Sequence, residues 1–160
     1  METAFLGGRN VLLQSESNTE FNTVTAYGQD YVEINTVQYR HAVYFAPEGD
    51  VSPLDANSVG DITETLLKKI TGLATVRSDP MAFLDADPAP ALPEDAPEVV
   101  LIGTGSTQRF LPHGVAESLT RLGIGVEAMT TQAAARTYNI LMSEGRHVIV
   151  ALLTHEEPQS

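Results

Sequence analysis

The spacing of apolar positions changes along the chain, and each change marks a different kind of structure. Asn22 to Gly28 and Tyr31 to Asn35 read as two strands around Gly28-Gln29-Asp30, a glycine-containing turn at hairpin spacing. In the second run Tyr31, Glu33 and Asn35 alternate with Val32 and Ile34, the period of a half-buried strand. Val37 to Ala46 is rich in β-branched and aromatic residues and stops at Pro47, which predicts a third strand. Beyond Pro47-Glu48-Gly49-Asp50 the period lengthens. Asp61 with Glu64 three residues on is a helix-capping pair, Ile62, Leu66, Ile70 and Leu73 form one apolar stripe, and Gly72 weakens the last turn.

Ser78 to Pro97 holds five of the nine prolines among Asp and Ala, which forbids a continuous helix or central strand. Residues 74–97 therefore read as an irregular connection, with Met81-Ala82-Phe83-Leu84 as an apolar island. The pattern then becomes strand, helix, strand, helix, strand. Glu98 to Ile102 is a β-branched run ending at Gly103. Pro112 opens a helix whose Val115, Leu119 and Leu122 face one way and which Gly123 ends. Ile124 to Met129 follows as a strand. Thr130 or Thr131 caps a helix through Glu144, with Ala133, Thr137, Ile140, Leu141 and Glu144 near its apolar face and Tyr138 pointing elsewhere. Val148 to Leu153 is the last strand. Short buried strands alternating with helices need crossover connections, so the expected class is α/β with a largely parallel sheet. The expected organisation is a flexible N-terminal arm over residues 1–21, a single α/β domain over 22–153 and a polar tail over 154–160.

Composition narrows the chemistry. The 160 residues have 42% hydrophobic side chains, enough to bury a core, and no cysteine, which removes disulfides, thiolate metal sites and cysteine nucleophiles. The net charge of −12 opposes phosphate backbones and anionic lipid, so nucleic acid is not an expected partner. That acidity lies outside the C-terminal third, since residues 99–155 carry four basic and three acidic side chains. The longest apolar run, Val148 to Leu153, is far short of the roughly 20 residues that span a bilayer. The N-terminus has neither a signal-peptide core nor an Arg-rich transit pattern, so a cytoplasmic location is expected.

The strongest local feature is Leu101-Ile102-Gly103-Thr104-Gly105-Ser106-Thr107-Gln108-Arg109-Phe110, a glycine-bearing loop leaving a buried strand. Ligands in open α/β sheets sit at the carboxyl ends of strands, and glycines let backbone amides approach an anion that Arg109 would help neutralise. A dinucleotide fingerprint needs a third glycine where Gln108 stands, and a Walker loop needs Gly-Lys-Ser/Thr. The plainer reading gives Gly103 and Gly105 positive φ angles in a tight turn, with Ser106 and Thr107 bonded locally. In the last helix Arg136 and Asn139 share a face at spacing three. They either aim at the glycine loop as a cationic, amide-donating pocket or brace loop carbonyls as buried polar groups.

The candidate binding residues are therefore Gly103, Thr104, Gly105, Gln108, Arg109, Arg136 and Asn139, with no metal site and no cofactor expected. His41, His113, His147 and His155 lie outside any Gly-x-Ser-x-Gly elbow, His155 and Glu156-Glu157 fall in the polar tail, and no histidine pair has metal-ligand spacing. No catalytic constellation is recognised.

In combination and order, several blocks resemble a family of small single-domain proteins from bacteria, archaea and mitochondria. It includes a mitochondrial complex I assembly factor and an adipogenesis-associated protein, and many members are known only as a domain of unknown function. The blocks are Tyr27-Gly28 with the Ile34 strand, Tyr39 leading to Val43-Tyr44-Phe45-Ala46-Pro47, Leu101 to Gly105 with Gln108-Arg109-Phe110, Gly123 to Met129, and Ala134-Ala135-Arg136-Thr137-Tyr138-Asn139. Residues 74–97 depart from it, being longer than the compact connection expected there. The resemblance implies three layers: a β-rich N-terminal layer packed on a mixed, mostly parallel sheet with flanking helices. It implies no established catalysis.

For mitochondrial relatives the implied role is assembly of NADH:ubiquinone oxidoreductase with a partner assembly factor near the membrane, and this chain reads as a bacterial member. Two functions follow as expectations. One is a non-catalytic assembly or scaffold protein with complex I subunits, another assembly factor or a second copy as partner, reaching the membrane only through that partner. The alternative is a small-anion or nucleotide-binding protein, or an enzyme, using the Gly103–Arg109 loop and Arg136.

Overall fold

A computed structural model of the chain describes residues 21–73 and 96–154. The expected arm, irregular connection and tail fall almost wholly outside these residues.

The chain first forms an antiparallel meander, β1 (Val24–Tyr27), β2 (Val32–Ile34) and β3 (Val37–Tyr39). The β1–β2 turn is the one expected, closed by Gly28 N–H donating to Tyr31 O at 3.0 Å. The β2–β3 turn is a two-residue reversal in which Ile34 faces Val37 and both Asn35 (φ 53°) and Thr36 (φ 68°) are left-handed. That geometry matches the twist of a hairpin. Asn35 supports it by accepting from Thr23 N–H at 3.0 Å, and the Thr36 N–H is met by Thr25 Oγ1 at 3.1 Å.

This turn corrects the expected single strand over Val37 to Ala46. The segment supplies two strands to two sheets, β3 to the meander and β4 (Val43–Phe45) to a larger sheet. Between them Arg40 O accepts from Thr154 Oγ1 and Ala42 O from Leu54 N–H, so the backbone changes partners there.

The larger sheet runs β5 (Ser52–Pro53), β4, β8 (Val148–Leu152), β6 (Val99–Gly103), β7 (Gly125–Met129). Its β8–β6–β7 part is parallel, and β4 and β5 join antiparallel. The parallel part needs crossovers, supplied by α2 (Glu117–Arg121) and α3 (Thr131–Ser143). Val100, Ile102 and Ala151 point to one face with Leu119 of α2 and Leu67 and Ile70 of α1 (Glu64–Ile70). Leu101, Val150 and Leu152 point to the other, with Ala134, Ala135 and Tyr138 of α3 and Val24, Val32 and Ile34 of the meander. A sheet covered on both faces explains why β6 and β8 read as continuous apolar runs. The three-layer α/β architecture is therefore as expected.

Three helix details differ from expectation. Thr63 caps α1, its Oγ1 accepting from Leu66 N–H at 3.1 Å, while Asp61 lies in a preceding 3-10 turn and accepts from Asn57 N–H. The helix after Pro112 is confined to α2 because Gly114 adopts φ 80°, which interrupts helical geometry. Gly123 (φ 87°) ends it as expected. In α3 Thr130 is the cap, but the buried face is Thr131, Ala134, Ala135, Tyr138 and Met142, one position round from that expected, leaving Ile140 57% exposed. Two alanines let the helix approach the sheet, and Tyr138 fills the space beyond them.

Candidate functional site

The carboxyl ends of β6, β7 and β8 meet the N-terminus of α3 through residues that need close approach. At Gly103 an added Cβ would lie 2.8 Å from the Thr131 Cα and 2.9 Å from its Oγ1. Gly103 is thus required by the proximity of α3. Of the two glycines expected at positive φ, Gly105 has it, at 100°, and Gly103 does not. Thr131 then ties the loop at three points. Its N–H donates to Gly105 O at 2.9 Å, its Oγ1 accepts from Gly105 N–H at 2.9 Å, and its hydroxyl donates to Leu153 O at 2.7 Å. Thr104 adds its N–H to Met129 O at 2.8 Å and its hydroxyl to Thr107 O at 2.7 Å, and accepts from Arg109 N–H at 3.2 Å. Leu153 N–H reaches Gly103 O at 3.0 Å.

The amides of Thr104, Gly105 and Arg109 are therefore directed at acceptors of the chain itself. An anion seated on them would have to replace those bonds, and breaking a buried one costs about 1–3 kcal/mol.

The remaining candidates go to different places. Gln108 Nε2 reaches Ala128 O at 3.3 Å, Arg109 is half-buried, and Arg136 is exposed on α3. Exposure removes Arg136 from the buried brace it was expected to form. Asn139 braces another element: its Oδ1 accepts from Val24 N–H at 3.0 Å and its Nδ2 donates to Val24 O at 2.9 Å. It completes the edge of β1 instead of the glycine loop. Beside it the buried Tyr138 hydroxyl donates to Asn22 O at 2.6 Å, and burial pushes that phenol above its ordinary range. Asn22 in turn donates through Nδ2 to Ala46 O and Gly49 O. Sequence reasoning missed Thr131, Tyr138 and Asn22 as organising residues. The signal for Tyr138 was present in its spacing from Ala134 and Ala135, four and three residues on.

A cavity of about 400 Å³ opens beside the loop, among Tyr27, Gln29, Tyr31, Ser106, Gln132 and Thr154. None of these side chains is charged at neutral pH. Tyr31 is held in place because its ring packs on Gly28, where a Cβ would collide with it, and the Arg40 guanidinium lies 5.9 Å from the ring centroid while paired with Asp30 at 3.1 Å. A second cavity, about 520 Å³, lies at the other end of the sheet between Pro47, Met142 and Arg146. At that end the His147 backbone N–H and the Arg146 guanidinium bond Glu98 and hold its carboxyl below the usual carboxylate range. Among the described residues no group of three or more His, Cys, Asp or Glu could hold a metal ion, and no helix is long and apolar enough to cross a membrane.

The family model described as "Protein of unknown function (DUF498/DUF598)" matches residues 24–153. The solution structure of an Mth938-like domain from Bordetella pertussis is 51% identical, covering 92% of this chain and 94% of its own, with a TM-score of 0.71. An uncharacterized protein of Rhodobacter capsulatus is 46% identical over 56 residues, which are 35% of this chain and 45% of that protein. NADH dehydrogenase [ubiquinone] 1 alpha subcomplex assembly factor 3 of Bos taurus is 42% identical over 57 residues, 35% of this chain and 30% of that protein. The chain thus spans less than half the length of these curated relatives.

Proposed function

The chain belongs to the DUF498/DUF598 family, and on that premise we propose that it is a non-catalytic assembly protein that works by binding other proteins, with respiratory complex I subunits or a fellow assembly factor as partners. One observation carries the non-catalytic part: the amides of Thr104, Gly105 and Arg109 are spent on Met129, Thr131 and Thr104. A loop closed in this way is a stiff support between sheet and helix, and the neutral cavity beside it offers no charge to an anion. The partner class comes from the likeness to the bovine assembly factor. A cytoplasmic location, with membrane contact made through the partner, accompanies this reading.

The test is affinity capture of the tagged full chain from gently solubilised cells of its own source. Stoichiometric recovery of complex I subunits is expected. Recovery of no such subunit, together with saturable binding of inorganic phosphate or ATP that Arg109→Ala abolishes, would overturn the proposal in favour of an anion site.

A further inference from the structure

The large sheet has two unlike edges. β5 ends one with two residues, the second being Pro53, and proline has no N–H for another strand. β7 ends the other with five residues and pairs only with β6 among the described residues. The direction of its backbone groups follows from three bonds. Gly125 N–H donates to Glu98 O at 3.0 Å and Met129 O accepts from Thr104 N–H at 2.8 Å, so Gly125, Glu127 and Met129 turn their groups towards β6. Val126 and Ala128 therefore turn theirs outward, and Gln108 Nε2 meets the Ala128 carbonyl from that side at 3.3 Å.

Two residues beyond Gln108, the Phe110 side chain is 85% exposed, and the covalent chain keeps its Cα within about 7 Å of that of Gln108. Outward backbone groups two residues apart fit a second extended chain, and an adjacent exposed aromatic supplies an anchor for it.

We propose that the β7 edge with Phe110 takes an extended basic segment of a partner protein, added to the large sheet as a further strand. The proposal rests on the protein-binding reading above. Charge selects the occupant. A second copy would bring −12 against −12, whereas a Lys or Arg of an incoming strand can face Glu127, the one ionisable side chain of β7 and an exposed one.

The experiment is an NMR titration of the isotope-labelled full chain with a short synthetic peptide alternating lysine and valine, set against its glutamate–valine counterpart. Shifts at Val126, Ala128 and Phe110 are expected, with the basic peptide bound more tightly. Phe110→Ser should weaken it by about tenfold, as loss of an aromatic anchor does. Ala128→Pro removes an outward donor while leaving the β6 ladder intact and should abolish binding; if that variant does not fold, Phe110→Ser carries the test. Equal binding of both peptides, no shift on β7, or a dimer that Phe110→Ser dissolves would overturn the proposal. Two outcomes separate it from the function it rests on. Recovery of complex I subunits undiminished by Phe110→Ser sinks the surface alone, while peptide binding at β7 by a chain that captures no such subunits sinks only the assembly role.

Discussion

The two ends of α3 are fastened by opposite means. At its N-terminus the helix meets the glycine loop backbone to backbone, and the fit depends on an absence, the missing Cβ of Gly103 against Thr131. Further along, Tyr138 and Asn139 span a sequence separation of more than 100 residues to bond Asn22 and Val24. The first junction is built from neighbours in the β-α-β unit and tolerates no added volume. The second depends on one large side chain, whose ring also stacks edge-on to Phe45 with centroids 5.0 Å apart. Residues 103–109 thus fix the helix to the large sheet, and residues 138–139 fix the meander to the helix.

Substitutions can break this contrast, and the second junction should give the larger loss. Tyr138→Ala removes a fully buried ring and leaves the Asn22 carbonyl without its donor, so chemical denaturation should register a loss of about 3–5 kcal/mol. A loss no greater than that of an exposed substitution would end the claim that this ring joins the layers. Gly103→Ala drives a methyl into the backbone of Thr131, which cannot swing aside, and should lower stability by about 1–3 kcal/mol in the same measurement. An unchanged unfolding midpoint would mean that the loop and helix separate freely. Arg136→Ala sharpens the comparison as its near-silent member, since the side chain is exposed on the helix between the two junctions. Its effect should stay within about 0.5 kcal/mol. A larger cost would restore Arg136 as a brace.

Local pattern made much of the fold legible. The β1–β2 hairpin, the parallel β6–β7–β8 unit and the glycine that ends α2 follow from spacing, turn residues and β-branched runs. The failures share a cause. Val37 to Ala46 looked like one strand because strand propensity carries no record of which sheet a residue joins. The face of α3 was misplaced by one position because small alanines, Ala134 and Ala135, proved to be the contact side. At the candidate site the sequence pointed to the right loop. It could not tell amides offered to a ligand from amides consumed by Thr131 and Met129.

The order of elements, the exclusion of cysteine chemistry and the acidity of the chain were thus determined by the sequence alone, because each depends on residue identity and near spacing. Tertiary structure decided the rest. Pairing between residues far apart in the chain placed Asn139 on Val24, left Arg136 exposed and closed the amides of the glycine loop. It also left Val126 and Ala128 at an open edge, since whether a backbone group is satisfied depends on what the fold brings against it.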